Sequence, residues 1–133
     1  MLQLILHGIG DYFIQTDKMA TNKKKKGWFG FKQCLIHCIT YSLPFLFIGS
    51  WKAVTMIFLT HFIIDRTNLV AYALAIKNNV IYAGHKHFPN SKKYDISNHG
   101  FGLDRPFAIS IWLYIICDNL LHIICNYVSL KYL

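Results

Sequence analysis

Pro106-Phe-Ala-Ile-Ser-Ile-Trp-Leu-Tyr-Ile-Ile-Cys-Asp118-Asn-Leu-Leu-His122-Ile-Ile-Cys-Asn126-Tyr-Val-Ser-Leu130 is the stretch that decides the fold class. It carries one acid and no Lys or Arg. At about 1.5 Å per residue, a helix of this length exceeds the roughly 30 Å of a bilayer's hydrocarbon core. Pro106 suits the first turn of such a helix. Three more apolar stretches precede it, at about 2–19, 28–48 and 51–76. Pro44 is expected to kink the second. The first is short for a span, which takes about 20 residues, and is expected to cross at a thin point or to be partly re-entrant. The predicted fold is all-α: a polytopic membrane bundle of about four helices, 2–19, 28–48, 51–76 and 106–130, in one transmembrane domain over 1–133. A basic loop, 77–105, joins the last two helices.

The 133 residues suffice for one domain; 54% are hydrophobic and 15% charged. The net charge is +8, and all six acids are Asp. A basic chain can signal nucleic-acid binding, but here the cations sit between apolar runs, so no nucleic-acid partner is expected. Lys18, Lys23 to Lys26 and Lys32 cluster at one loop; Lys77, Lys86, Lys92, Lys93 and Arg105 cluster at another. Only Lys52 and Lys131 fall on the opposite side. Both basic loops are therefore expected in the cytoplasm, with the termini outside. Apolar residues begin at Leu2 with no basic stretch before them, which does not match a secretory leader. Cys34, Cys38, Cys117 and Cys125 read as small buried hydrophobes. A Cys34/Cys38 metal pair is the weaker reading, because zinc-binding Cys pairs usually sit closer, on turns.

Polar residues recur within these apolar stretches at helical spacing. His7 precedes Asp11, His61 precedes Asp65, and Asp118 precedes His122, each by four residues. Each pair thus shares one helix face. The second stretch adds His37. Measured from the proposed cytoplasmic end of each helix, the seven lie at overlapping depths of roughly 12 to 24 Å. An ionisable side chain at mid-bilayer costs at least about 2.5 kcal/mol, so these Asp residues must be paired, protonated or metal-bound. His and Asp are good ligands for zinc and similar divalent ions. His7, Asp11, His37, His61, Asp65, Asp118 and His122 are the candidate metal ligands, enough for one or two ions, with zinc the first choice. Two ions about 3.5–4 Å apart would use the set most fully. Gln15, Tyr41, Asn119 and Asn126 are candidate outer hydrogen-bond partners. Arg66 is expected to snorkel to the surface or to clamp a phosphate. A single buried His on an apolar helix is ordinarily an interhelix hydrogen bonder; three repeated His/Asp pairs exceed that expectation. In the basic loop, His85 and His87 read as solvated, and Asn98 to Arg105 as an ordered turn able to act as a lid.

The stretch His7-Gly-Ile-Gly-Asp11-Tyr-Phe-Ile-Gln15-Thr-Asp-Lys-Met19 resembles the N-terminal motif of the domain of unknown function 3307 family. Leu35-Ile-His37 before Tyr41, His61-Phe-Ile-Ile-Asp65 and Asp118-Asn-Leu-Leu-His122 are similar to its later motifs. The resemblance covers nearly the whole chain apart from the basic loop. It implies a small integral membrane protein of a bacterium or phage, in the bacterial inner membrane. It also implies that the family's patterned positions fall on the same seven residues. Similarity in outline to membrane metal-dependent hydrolases is a fold-level analogy.

The expected function is a membrane-embedded, metal-dependent hydrolase acting on a lipid or lipid-linked phosphoester. Asp65 or Asp118 would double as general base. One alternative is a metal or proton transporter using the same residues. Another is a non-catalytic membrane interaction protein of phage or bacterial origin. Expected partners are membrane lipid and either a second copy of the chain or a host membrane protein.

Overall fold

The computed structural model describes residues 1–80 and 94–133. Among these residues it is all-α, with six α-helices and no strand. His85, His87, Lys86, Lys92 and Lys93 of the basic loop lie outside the described residues. The chain expected as one domain divides into two compact units: Met1–Thr67 with Leu120–Leu133, and Asn68–Asn119.

In the first unit, α1 (Leu2–Gly8) runs into a π-helical turn, Ile9–Ile14. The continuous helix expected over 2–19 is therefore absent. Gly8 and Gly10 favour helix weakly, and Gln15 is extended, which ends the turn. Thr16 then starts α2 (Asp17–Asn22) by accepting a hydrogen bond from the Met19 amide. A lysine turn leads through Gly27 into α3 (Trp28–Ser42). Pro44 has no amide to offer the Thr40 carbonyl, so α3 cannot continue; it tightens into a 3-10 helix, Leu43–Phe47. Ser50 caps α4 (Trp51–Arg66) through the Ala53 amide and donates its hydroxyl to the Leu133 carbonyl. The short turn at 48–50 folds α4 back beside α3. Tyr41, Phe45 and Ile57 form the apolar core, with Leu6, Ile48, Val54 and Leu130 packed around them.

In the second unit, α5 (Leu69–Lys77) starts after a break at Thr67 and Asn68, so the expected helix over 51–76 is two helices. The turn after the basic loop is tightly built. Asn98 Nδ2 donates to the carbonyls of Gly102 and Arg105, and Asn78 Nδ2 donates to that of Gly100. Gly100 has φ of 84° and lies against the Ala71 carbonyl and Leu74, so no side chain fits there. α6 (Phe107–Tyr132) follows directly after Pro106; it belongs to this unit as far as Asn119 and to the first unit from Leu120.

Among the described residues α6 alone is long and apolar enough to cross a membrane; α4 and α5 meet that test only when taken together. The reason is length. The 26 residues of α6 come to about 39 Å, while the 16 of α4 come to about 24 Å. Large apolar side chains face outward along several elements, including Phe13, Trp28, Phe47, Trp51 and Trp112.

A Cβ on the buried Gly10 would overlap the Tyr41 ring, whereas one on Gly8 would meet nothing. Gly10→Ala should therefore destabilise the first unit by about 1–3 kcal/mol through overpacking. Thermal unfolding in detergent should show a lowered Tm for Gly10→Ala and none of that loss for Gly8→Ala.

Candidate metal centre

His37 on α3 and His61 on α4 face each other across the helix pair, with their Nε2 atoms 3.0 Å apart. Both are fully buried. The π-helical turn brings Asp11 to this edge: its Oδ1 lies 3.3 Å from His37 Nε2 and 3.5 Å from His61 Nε2. Asp65, one turn beyond His61 on α4, places Oδ2 3.2 Å from both nitrogens. Two triangles of candidate ligand atoms thus share the His37–His61 edge. Ligand atoms bound tetrahedrally about 2.0–2.1 Å from zinc stand about 3.3–3.4 Å from one another. The five distances match that spacing. Neither Asp11 Oδ1 nor Asp65 Oδ2 accepts a hydrogen bond in this arrangement. Buried carboxylate oxygens rarely go without one, and a cation would satisfy both.

The imidazoles are held mainly by stacking. The His61 ring lies 3.7 Å from that of Tyr41 at 22°, and 4.1 Å from that of His122. The Nδ1 atoms of His37 and His61 lack a hydrogen-bond partner, so the outer acceptor that commonly orients a metal-bound His is missing for these two. Packing fixes the rings in its place.

The remaining expected residues divide clearly. His7 turns its Nδ1 to the Tyr41 hydroxyl at 2.7 Å, with Asp11 Oδ2 at 3.4 Å. His122 places Nε2 3.6 Å from Asp65 Oδ1. Asn126 Nδ2 donates to the Tyr41 hydroxyl at 2.7 Å, so Tyr41 and Asn126 sit at the cluster's margin as an outer support. Gln15 is part-exposed at the end of the π-helical turn, and its Nε2 has no hydrogen-bond partner. Asp118 and Asn119 belong to the second unit, where Asn119 donates to the Ile115 carbonyl on its own helix.

Two residues at the cluster stand outside the seven expected ligands: Lys23, which nothing in the sequence singled out, and Cys38, which the sequence offered only as a weaker metal pair with Cys34. Lys23 donates from Nζ to Asp65 Oδ1 at 2.9 Å. Nothing in the run Lys23 to Lys26 distinguishes its first member; the only signal is that a buried Asp needs a counter-charge. Arg66, expected at the surface or on a phosphate, donates to the Lys23 carbonyl at 3.2 Å and so steadies that turn. Cys38 is the other: its Sγ, a His61 ligand nitrogen and an Asp65 oxygen lie within 4.8 Å of one another.

Residues 1–129 match the family model described as Protein of unknown function (DUF3307). The chain belongs to that family. No curated protein and no solved structure matches it. In this DUF3307 chain the matched region includes every residue of the cluster.

Tyr41→Phe would leave the buried Asn126 amide without the hydroxyl it donates to. The expected cost is about 1–3 kcal/mol. Thermal melts in detergent should register it, while Tyr12→Phe, at an exposed position, should melt like the parent.

Proposed function

We propose that this DUF3307 protein is a membrane-embedded, metal-dependent hydrolase whose centre is built on His37, His61, Asp65 and Asp11. The observation that carries the reading is the pair of ligand triangles, with edges of 3.0–3.5 Å, buried except for a part-exposed Asp11. Asp11 Oδ1 and Asp65 Oδ2 face the imidazole nitrogens without an aligned hydrogen bond, which suits both to a shared cation.

A polytopic membrane setting agrees with the outward-facing aromatics and the inward-facing His and Asp. The 15 residues of α3 and the 5 of its 3-10 extension together come to about 32 Å, close to a hydrocarbon core. In this reading the basic turns face the cytoplasm, and the substrate is a lipid or lipid-linked phosphoester reaching the site from that leaflet.

A divalent cation, with zinc the first choice, supplies the Lewis acidity that activates water and polarises an ester when bound. The protein's share is positioning. His37 and His61 offer neutral nitrogens from two helices; Asp11 and Asp65 bring the negative charge that makes a buried dication tolerable. Asp65 has two oxygens with different tasks: Oδ2 faces the histidines, while Oδ1 is held by Lys23. A carboxylate so divided can orient a water and accept its proton. Lys23 is the cation nearest to the centre among the described contacts, and suits the phosphoryl group of a substrate better than Arg66 does.

Protein purified in detergent should contain about one to two equivalents of divalent metal by elemental analysis. His61→Ala and Asp65→Asn should lose it, together with hydrolysis of a phosphatidic-acid probe in mixed micelles. Protons compete for the His ligands, so metal should stay bound at about pH 8 and be released by about pH 5. Metal-free protein, with activity intact in both variants, would sink the reading.

One observation favours a second reading, proton transport. Asn126, Tyr41, His7, Asp11, His37, Asp65 and Lys23 form a continuous run of polar neighbours, no step longer than 3.4 Å. Proteoliposomes should then show proton flux that Asp65→Asn abolishes; tight membranes with wild-type protein would exclude it.

A further inference from the structure

Cys38 has no part in the centre described so far, yet it is fully buried beside it. It follows His37 directly on α3, so the two side chains leave the helix about 100° apart. Close packing of α3 on α4 nevertheless brings both to the same neighbours. His37 Nε2 meets His61 and Asp65 at 3.0 and 3.2 Å, and Cys38 Sγ, a His61 nitrogen and an Asp65 oxygen lie within 4.8 Å of one another. Of the two Asp65 oxygens, Oδ2 is buried and accepts no hydrogen bond. Cys34, one turn earlier, has its Sγ 3.9 Å from that of Cys38 and does not join the group.

We propose that Cys38 is a thiolate ligand of the metal centre, which makes the site one for thiophilic cations of the zinc, cobalt and cadmium kind. This rests on the metal-centre reading above and adds a donor to it. The set becomes the His37 and His61 nitrogens, an Asp65 oxygen and the Cys38 sulfur, two nitrogens with one oxygen and one sulfur. Such a mixed set selects against magnesium, calcium and manganese, which prefer oxygen donors throughout. Zinc–sulfur bonds of about 2.3 Å and zinc–nitrogen bonds of about 2.0–2.1 Å place sulfur and nitrogen ligands about 3.5 Å apart, so binding draws the Cys38 sulfur inward. Coordination breaks the S–H bond and forms a metal–sulfur bond; the proton leaves to solvent, and nothing is oxidised or reduced. Asp11, less buried than His37, His61 and Asp65, is then the exchangeable carboxylate.

Cobalt(II) substitution tests this directly. Reduced protein in detergent, stripped with chelator and loaded with cobalt, should show visible ligand-field bands and a near-ultraviolet thiolate-to-cobalt charge-transfer band. Cys38→Ser should keep the visible bands and lose the charge-transfer band. The triple variant C34S/C117S/C125S, which retains Cys38 alone, should keep both. Visible bands in the wild type without a charge-transfer band would overturn the thiolate and leave the metal centre standing. A charge-transfer band that survives Cys38→Ser, or disappears from the triple variant, would overturn it as well. A wild-type protein that takes up no cobalt would overturn both the thiolate and the centre on which it depends. Should Cys38→Ser fail to fold, the wild type and the triple variant still decide the matter.

Discussion

A buried carboxylate between two imidazoles, Asp65 against His37 and His61, is the constraint around which the first unit is arranged. An ionised carboxylate removed from water costs several kcal/mol unless charge and hydrogen bonds surround it. His61 lies one turn away on the same helix, and three residues approach from other segments: Lys23, His37 and His122. Each of these must be delivered by its own element, so the demand of a single side chain bears on the placement of the lysine turn, α3 and the last part of α6 against α4. Tyr41 completes this arrangement. Its ring stacks on His61, and its hydroxyl joins His7 to Asn126.

The irregular backbone serves the same end. A π-helical turn at Ile9–Ile14 carries Asp11 to the histidine edge, and Gly10 lets that turn lie against the Tyr41 ring. Wide helical turns of this kind are common where side chains must be re-aimed. Pro44 stops α3 soon after Tyr41, and the short 48–50 turn returns the chain so that His61 meets His37.

The sequence pattern alone was informative to different degrees along the chain. Four-residue spacing in apolar surroundings singled out His61 and Asp65, and the structure brings these together with His37 and Asp11. α6 was legible because an uninterrupted apolar run with a proline at its start admits few other readings. The break between α4 and α5 was not legible. No proline or glycine marks Thr67-Asn68; the polar run Asp65-Arg66-Thr67-Asn68 is the one local signal, and an apolar run resumes at Leu69. Gln15 was expected to support the cluster because it sits four residues after Asp11; the extended backbone at Gln15 removes that register.

Hydropathy, spacing and charge by themselves determined that this chain is helical, that its long apolar helix lies near the C-terminus, and that His and Asp recur on shared helix faces. These are local properties, set by residues three or four apart. Only the tertiary structure decided which of those faces meet. It drew Lys23 out of a uniform lysine run, brought Cys38 beside His61, and turned His7 toward Tyr41. Such pairings span 23 to 42 residues of chain. They follow from the mutual packing of helices, which no spacing within a single helix encodes.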